Sequence, residues 1–180
     1  MRRGRFIIKP CGWSTVKIMS KPPMTVKVQF QQNFGQCVCM DGGKCRDCKP
    51  DNCKKNQLSS PVVFCADKIF SGYEGDTPRH CDEIVLYDVA NQETGVYCIE
   101  HKGGNPDNFN PEYIRDQLQG GADIVCSCAH PGEKIKFAPV LVSKRREIML
   151  SPPGIVPTVN FQGTEYPIGD VIIGEELKPL

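Results

Sequence analysis

The sequence has no apolar run approaching the length needed to cross a bilayer, so no membrane association through a span is expected. It has no surplus charge of either sign: 22 Lys and Arg stand against 21 Asp and Glu, a formal net charge of +1. That balance excludes a whole-protein pull toward nucleic acid, and any phosphate-binding surface has to be a local patch. No internal repeat is present. The opening residues 1–10 are basic, but their apolar stretch is too short for a secretory signal. A cytoplasmic location is the expectation that follows.

Cysteine, by contrast, is abundant and odd in number, with 11 in 180 residues. In an exported chain this would suggest disulfides with one thiol left over. Without an export signal, thiols or metal ligands are the better reading. The remaining composition, 39% hydrophobic and 24% charged, is ordinary for a globular chain, and the length suggests a single domain over residues 1–180.

Three regions differ in texture. Residues 1–35 are basic, and in Thr25-Val26-Lys27-Val28-Gln29-Phe30 the apolar residues alternate with polar ones, which predicts a half-buried strand. Residues 36–60 are rich in cysteine, lysine and turn formers. Residues 61–180 carry the strongest periodic signals. There, Ser60 and Pro61 suggest the start of a short helix over 61–70. Strands are predicted over 81–89 and 95–102, joined by a hairpin-type connection. Asn110-Pro111-Glu112 has the form of a helix start: a capping Asn, Pro at the first position, an acid near the positive end. Ile114, Leu118 and Ala122 continue at helical spacing, while Gly120-Gly121 either weakens the helix or allows close backbone packing. A strand over 134–142 and a terminal hairpin over 159–173, turning near Gly163, complete a mixed α/β core.

Within that core one set of residues carries chemistry. Side chains two apart on a strand share a face, so Glu100 and Lys102 project together. His101 points the other way but leaves its backbone carbonyl available. Asp82 opens the neighbouring strand, where a hairpin brings the start of one strand beside the end of the next. Two carboxylates and a carbonyl suit a hard divalent ion such as Mg²⁺ or Mn²⁺. Such an ion stabilises charge on a scissile phosphate and acidifies a bound water, with Lys102 orienting that water or stabilising the developing charge. Triplets of the form E-x-K are common on exposed strands and mean little alone. Here two charges end an apolar strand, after Tyr97-Cys98-Ile99, and buried charges require a partner or a metal.

Cys81-Asp82-Glu83-Ile84-Val85-Leu86, Val96-Tyr97-Cys98-Ile99-Glu100-His101-Lys102 and Tyr113-Ile114-Arg115-Asp116-Gln117-Leu118 together resemble the PD-(D/E)xK nuclease superfamily. The resemblance covers residues 82–142, about a third of the chain, and its motifs are short, so order and spacing carry it. It implies a restriction-endonuclease-like mixed β-sheet core flanked by helices. It further implies Asp82 and Glu100 as metal ligands, the His101 carbonyl as a third, Lys102 as the catalytic lysine, and Gln117 as a support of the site or a contact to backbone phosphate. The residue before Asp82 is Cys81 where the pattern has Pro. The superfamily often places an acid on its first helix, for which Asp67 is the nearest candidate and Glu74 a poorer one.

The cysteine-rich stretch is read separately, as an insertion over residues 36–60. Cys37-x-Cys39, Cys45-x-x-Cys48 and Cys53 offer four of five thiolates to a structural Zn²⁺, with an iron–sulfur cluster as the competing assignment. Metal would supply folding energy where apolar material is scarce. Lys44, Arg46, Lys49, Lys54 and Lys55 interleave these cysteines and could grip phosphates. Two further basic patches are residues 2–9 and Lys144-Arg145-Arg146. Cys65, Cys81, Cys98, Cys126 and Cys128 are expected to be small core residues, although Cys126-x-Cys128 with His130 could bind metal.

The expected function is a metal-dependent endonuclease that hydrolyses phosphodiester bonds, of DNA rather than RNA, with self-association into a dimer to grip a duplex. The alternative is a non-catalytic zinc module that binds nucleic acid or protein. A nuclease fold reduced to binding alone is disfavoured by the intact Asp82, Glu100 and Lys102.

Overall fold

The computed structural model describes residues 25–39, 54–71, 77–103, 110–144 and 156–180. Among these, a five-stranded mixed sheet runs in the order β1 (Ser59–Cys65), β2 (Glu83–Asp88), β3 (Thr94–Lys102), β4 (Ile135–Ser143), β7 (Gly169–Ile172). The strands β1, β2 and β3 are antiparallel neighbours; β4 is parallel to β3, and β7 parallel to β4. A parallel pair needs a crossover connection, and α3 (Pro111–Cys128) supplies it between β3 and β4. Two shorter α-helices, α1 (Val26–Phe34) and α2 (Ala66–Phe70), accompany it among the described residues. A separate hairpin pairs β5 (Thr158–Phe161) with β6 (Thr164–Pro167) through a turn where Gly163 has φ 82°. The chain is therefore mixed α/β, and no helix among the described residues is long and apolar enough to cross a membrane.

The sheet has apolar cores on both faces. One gathers Val26, Phe30 and Phe34 of α1, Ile84, Leu86, Val96 and Cys98 of the sheet, and Ile114, Leu118, Ala122 and Val125 of α3. The opposite face packs Val85, Tyr87, Tyr97, Ile99, Val140 and Val142 against Leu58 and Leu177. Strands buried on both sides read as continuous apolar runs, as Ile84-Val85-Leu86-Tyr87 and Val96-Tyr97-Cys98-Ile99 do.

Three expectations are corrected here. The segment around Thr25–Phe30 is a helix, not a strand: Thr25 caps it, accepting from the Val28 amide, and Glu133 Oε1 accepts from the Val26 amide at 2.6 Å. Val26, Phe30 and Phe34 lie four apart and are buried, whereas Val28 is exposed. Residues 61–65 belong to a strand, and the helix begins only at Ala66. Pro61 is tolerated because β1 is an edge strand whose register slips between Ser59 and Val62, with Ser60 at φ 47°. The terminal hairpin is confined to β5 and β6; β7 leaves it and joins the main sheet beside β4.

The helix start at Asn110 holds, with its side chain accepting from the Tyr113 amide at 3.1 Å. Gly120 and Gly121 lie inside α3 for a packing reason. A Cβ on Gly120 would sit 2.0 Å from the Arg79 carbonyl oxygen, and one on Gly121 2.5 Å from Cys81 Sγ. The glycine pair thus brings α3 against the backbone that leads into Asp82.

Candidate active site

The end of β3 is where this packing matters. Glu100 and Lys102 project from the face that α3 covers, as their two-residue spacing requires. Asp82 sits at the entrance to β2. Its amide donates to the Ile99 carbonyl at 3.0 Å, and its carbonyl accepts from the Ala66 amide at 3.0 Å. Its Oδ2 accepts from the His101 backbone N–H at 2.7 Å. The N–H and C=O of one residue point to the same edge of an extended strand, so the His101 carbonyl faces the Asp82 side as well.

Lys102 Nζ lies 2.6 Å from Glu100 Oε1 and donates to Gln117 Oε1 at 3.1 Å. Gln117 Nε2 in turn donates to the His80 carbonyl at 3.4 Å. The amide therefore ties the lysine to the segment before Asp82, with α3 as the carrier. The structure brings Asp82, Glu100, Lys102 and Gln117 into one cluster of hydrogen bonds and close charges.

Glu100 has only 2% of its surface exposed, and its Oε2 finds no hydrogen-bond partner among the described residues. Burial, and after it the negative charge of Asp82, push the Glu100 carboxyl up to about 7, against the pull of Lys102. A buried carboxylate oxygen without a donor, beside a second carboxylate, is a place that favours a cation. Asp82, Glu100 and the His101 carbonyl form an all-oxygen donor set, which fits Mg²⁺ or Mn²⁺ by its chemistry. No group of three or more His, Cys, Asp or Glu side chains placed to hold a metal exists among the described residues, so the set depends on that carbonyl. Asp67 does not add a third carboxylate: its Oδ1 is taken by His80 Nε2 at 2.8 Å. Glu74 lies outside the described residues.

The opposite face of β3 holds a second polar group that the sequence did not single out. Glu83 is fully buried, with Lys55 Nζ 3.1 Å from its Oε2 and His101 Nε2 3.6 Å from its Oε1. Burial alone would raise the Glu83 carboxyl; the His101 and Lys55 partners outweigh it and hold the group below its usual value. Lys55, expected to face phosphates, turns inward instead, and only 11% of its side chain is exposed. The signal available was Glu83 itself, an acid inside the apolar run of β2, which demands a buried partner.

The cysteines divide. Cys65, Cys81, Cys98 and Cys128 are buried, and Cys126 is half-buried. The hydrogen bond to Cys98, together with burial, holds the Cys81 thiol well above its ordinary range, which suits a core residue and not a nucleophile. Cys126 and Cys128 lie two apart on α3 and so face different directions, which removes the shared site with His130. Of the zinc candidates, Cys37 ends a 3₁₀ turn over Gly35–Cys37, and the Cys39 amide donates to the Val63 carbonyl at 2.8 Å, so this pair abuts the β1 edge. Cys45, Cys48 and Cys53 lie outside the described residues, as do Lys44, Arg46 and Lys49, residues 2–9, and Arg145 and Arg146. Lys54 is exposed at the margin of the described structure.

No family model, curated protein or solved structure matches this chain.

Proposed function

We propose that this chain is a metal-dependent nuclease that hydrolyses phosphodiester bonds, with DNA as the favoured substrate. The observation that carries the proposal is the convergence of Asp82, Glu100 and Lys102 at the end of β3, where the buried Glu100 Oε2 has no donor among the described residues. The order of elements, an antiparallel β2–β3 pair, then α3, then β4 parallel to β3, supports a restriction-endonuclease-like core. A Mg²⁺ or Mn²⁺ ion held by Asp82, Glu100 and the His101 carbonyl would stabilise charge on the phosphate and acidify an attacking water.

The protein groups have separable tasks. Glu100 Oε1 and Gln117 Oε1 both hold the Lys102 ammonium, leaving it aimed and partly exposed, with 38% of the side chain accessible. Lys102 then orients the water or meets the negative charge that develops on the phosphate. Asp82 fixes the His101 peptide by accepting its N–H, which sets the direction of the neighbouring carbonyl. A structural Zn²⁺ on four of Cys37, Cys39, Cys45, Cys48 and Cys53, and a dimer that spans a duplex, belong to the same proposal.

The test is cleavage of plasmid and oligonucleotide substrates with Mg²⁺, Mn²⁺ or a chelator. Cleavage should require the divalent ion, and Lys102→Ala should lower it by about a hundredfold or more while circular dichroism stays unchanged. Full activity in the Lys102→Ala variant, or activity indifferent to chelation, would falsify the assignment.

A further inference from the structure

Tyr113 is one of few large apolar side chains left exposed among the described residues, with 42% of its surface accessible. It stands beside the site: Lys102 Nζ lies 5.4 Å from its ring centroid. Its other cationic neighbour is Arg79, whose guanidinium carbon lies 4.6 Å from the same centroid. Arg79 and Lys102 are therefore no more than 10.0 Å apart, the sum of 4.6 and 5.4 Å.

Arg79 is held in place from two sides. Its carbonyl is packed under Gly120, and its Nη1 donates to Asp116 Oδ2 at 2.8 Å. The same carboxylate accepts from Arg115 Nη2 through Oδ1 at 2.9 Å. One acid thus splints two guanidinium groups, and the trio keeps one positive charge in excess. The arginine side chains remain about half exposed, 54% for Arg79 and 47% for Arg115. Arg79 is pinned through Nη1 alone and Arg115 through Nε and Nη2, so each guanidinium keeps further donors to offer a phosphate. None of the basic patches evident in the sequence includes either residue; the fold assembles this one around α3.

We infer that Arg79 and Arg115, splinted by Asp116 and backed by Tyr113, form a phosphate-binding lip that grips the nucleic-acid strand next to the scissile bond. The inference rests on the nuclease reading of the adjacent Lys102. It also resolves a difficulty of that reading: with a net charge of +1 the whole molecule attracts no polyanion, so a local cationic surface has to do so. Two contacts to backbone phosphates position a strand without reading its bases, which predicts affinity with little sequence preference.

The experiment is fluorescence anisotropy of a labelled oligonucleotide, single-stranded and duplex, titrated with the full chain in chelator across a salt series. The double variant Arg79→Gln with Arg115→Gln should bind about tenfold more weakly. Its slope of log affinity against log salt should shrink by about 0.7 to 0.9 per lost contact. Arg79→Lys with Arg115→Lys should restore the slope. Lys136→Ala, half exposed at the far end of β4, should alter neither quantity. Unchanged affinity and slope in the glutamine variant overturn the lip, as does a wild-type chain that binds neither form. Cleavage is scored separately. A wild type that binds through the two arginines yet never cleaves keeps the lip and loses the nuclease. A wild type that cleaves while the glutamine variant binds normally loses the lip alone.

Discussion

A carboxyl group with 2% exposure beside a second carboxylate ionises reluctantly, and for those two reasons Glu100 is held up to about 7. The folded chain then binds this proton more tightly than the unfolded chain does. Stability from the group is complete below the ordinary carboxylate value of 4.5 and is lost as pH rises to about 7. Full ionisation costs about 3 kcal/mol, so the metal-free chain should melt lower at pH 8 than at pH 6. Glu100→Gln should flatten that difference. Added Mn²⁺ should reverse it, because the ion binds only the ionised form. Thermal melts at both pH values, with and without Mn²⁺, check the sign; a metal-free curve that is flat over this window would refute the environment described for Glu100. On the other face of the same strand, Glu83 behaves oppositely. Its lowered value means stability present above the unfolded carboxylate value and lost as pH falls through the folded one. Glu83→Ala would remove the acid that faces Lys55 in the interior, at a cost of about 3–5 kcal/mol by urea denaturation.

At the scale of elements, α3 decides the geometry. Gly120→Ala should gain about 1 kcal/mol in helix propensity. It nevertheless places a methyl 2.0 Å from a backbone oxygen, which a side-chain rotation cannot relieve. Net destabilisation of about 1–3 kcal/mol is expected, together with weaker Mn²⁺ binding by calorimetry, since the displaced backbone runs into Asp82. A variant as stable as the parent would show that the helix does not press on that segment. The same scale shows where local patterning misleads. In Val26-Lys27-Val28-Gln29-Phe30 the strand and helix periods agree at Val26 and Phe30 and conflict only at Val28. Phe34 breaks the tie, because it extends the four-residue spacing into the core. Lys27, nearly buried, reaches the Ser60 carbonyl and Asp88 at 2.7 and 2.8 Å, contacts that alternation alone does not reveal. Pro61 misleads in the reverse sense: it suits a first helical turn or an edge strand, and only the sheet order shows that β1 is an edge.

At the scale of the molecule, β3 is the central strand of the sheet and divides two charged groups between its faces. Glu100 and Lys102 meet α3, while Glu83 meets both His101 and Lys55, the latter at the end of the cysteine-rich stretch. The proposed zinc would therefore stabilise a segment that is tied to the sheet through Lys55. Elemental analysis of the purified chain should find zinc, and its removal by a chelator should lower the melting temperature by several degrees. Absence of zinc together with an unchanged melt would dispose of the structural metal.

The sequence by itself determined the β2–β3 hairpin, the capped start of α3 and the shared face of Glu100 and Lys102. These follow from strong local rules: apolar runs, an Asn-Pro-Glu cap and the two-residue repeat of a strand. Only the tertiary structure decided that α1 is a helix, that β7 extends the sheet, and that Glu83 and Lys55 pair in the interior. Those outcomes depend on partners distant along the chain, such as Glu133 for α1 and Lys55 for Glu83. Arg79 and Arg115 look like ordinary surface charges in the sequence; they share Asp116 because Gly120 lets α3 close onto the segment before Asp82.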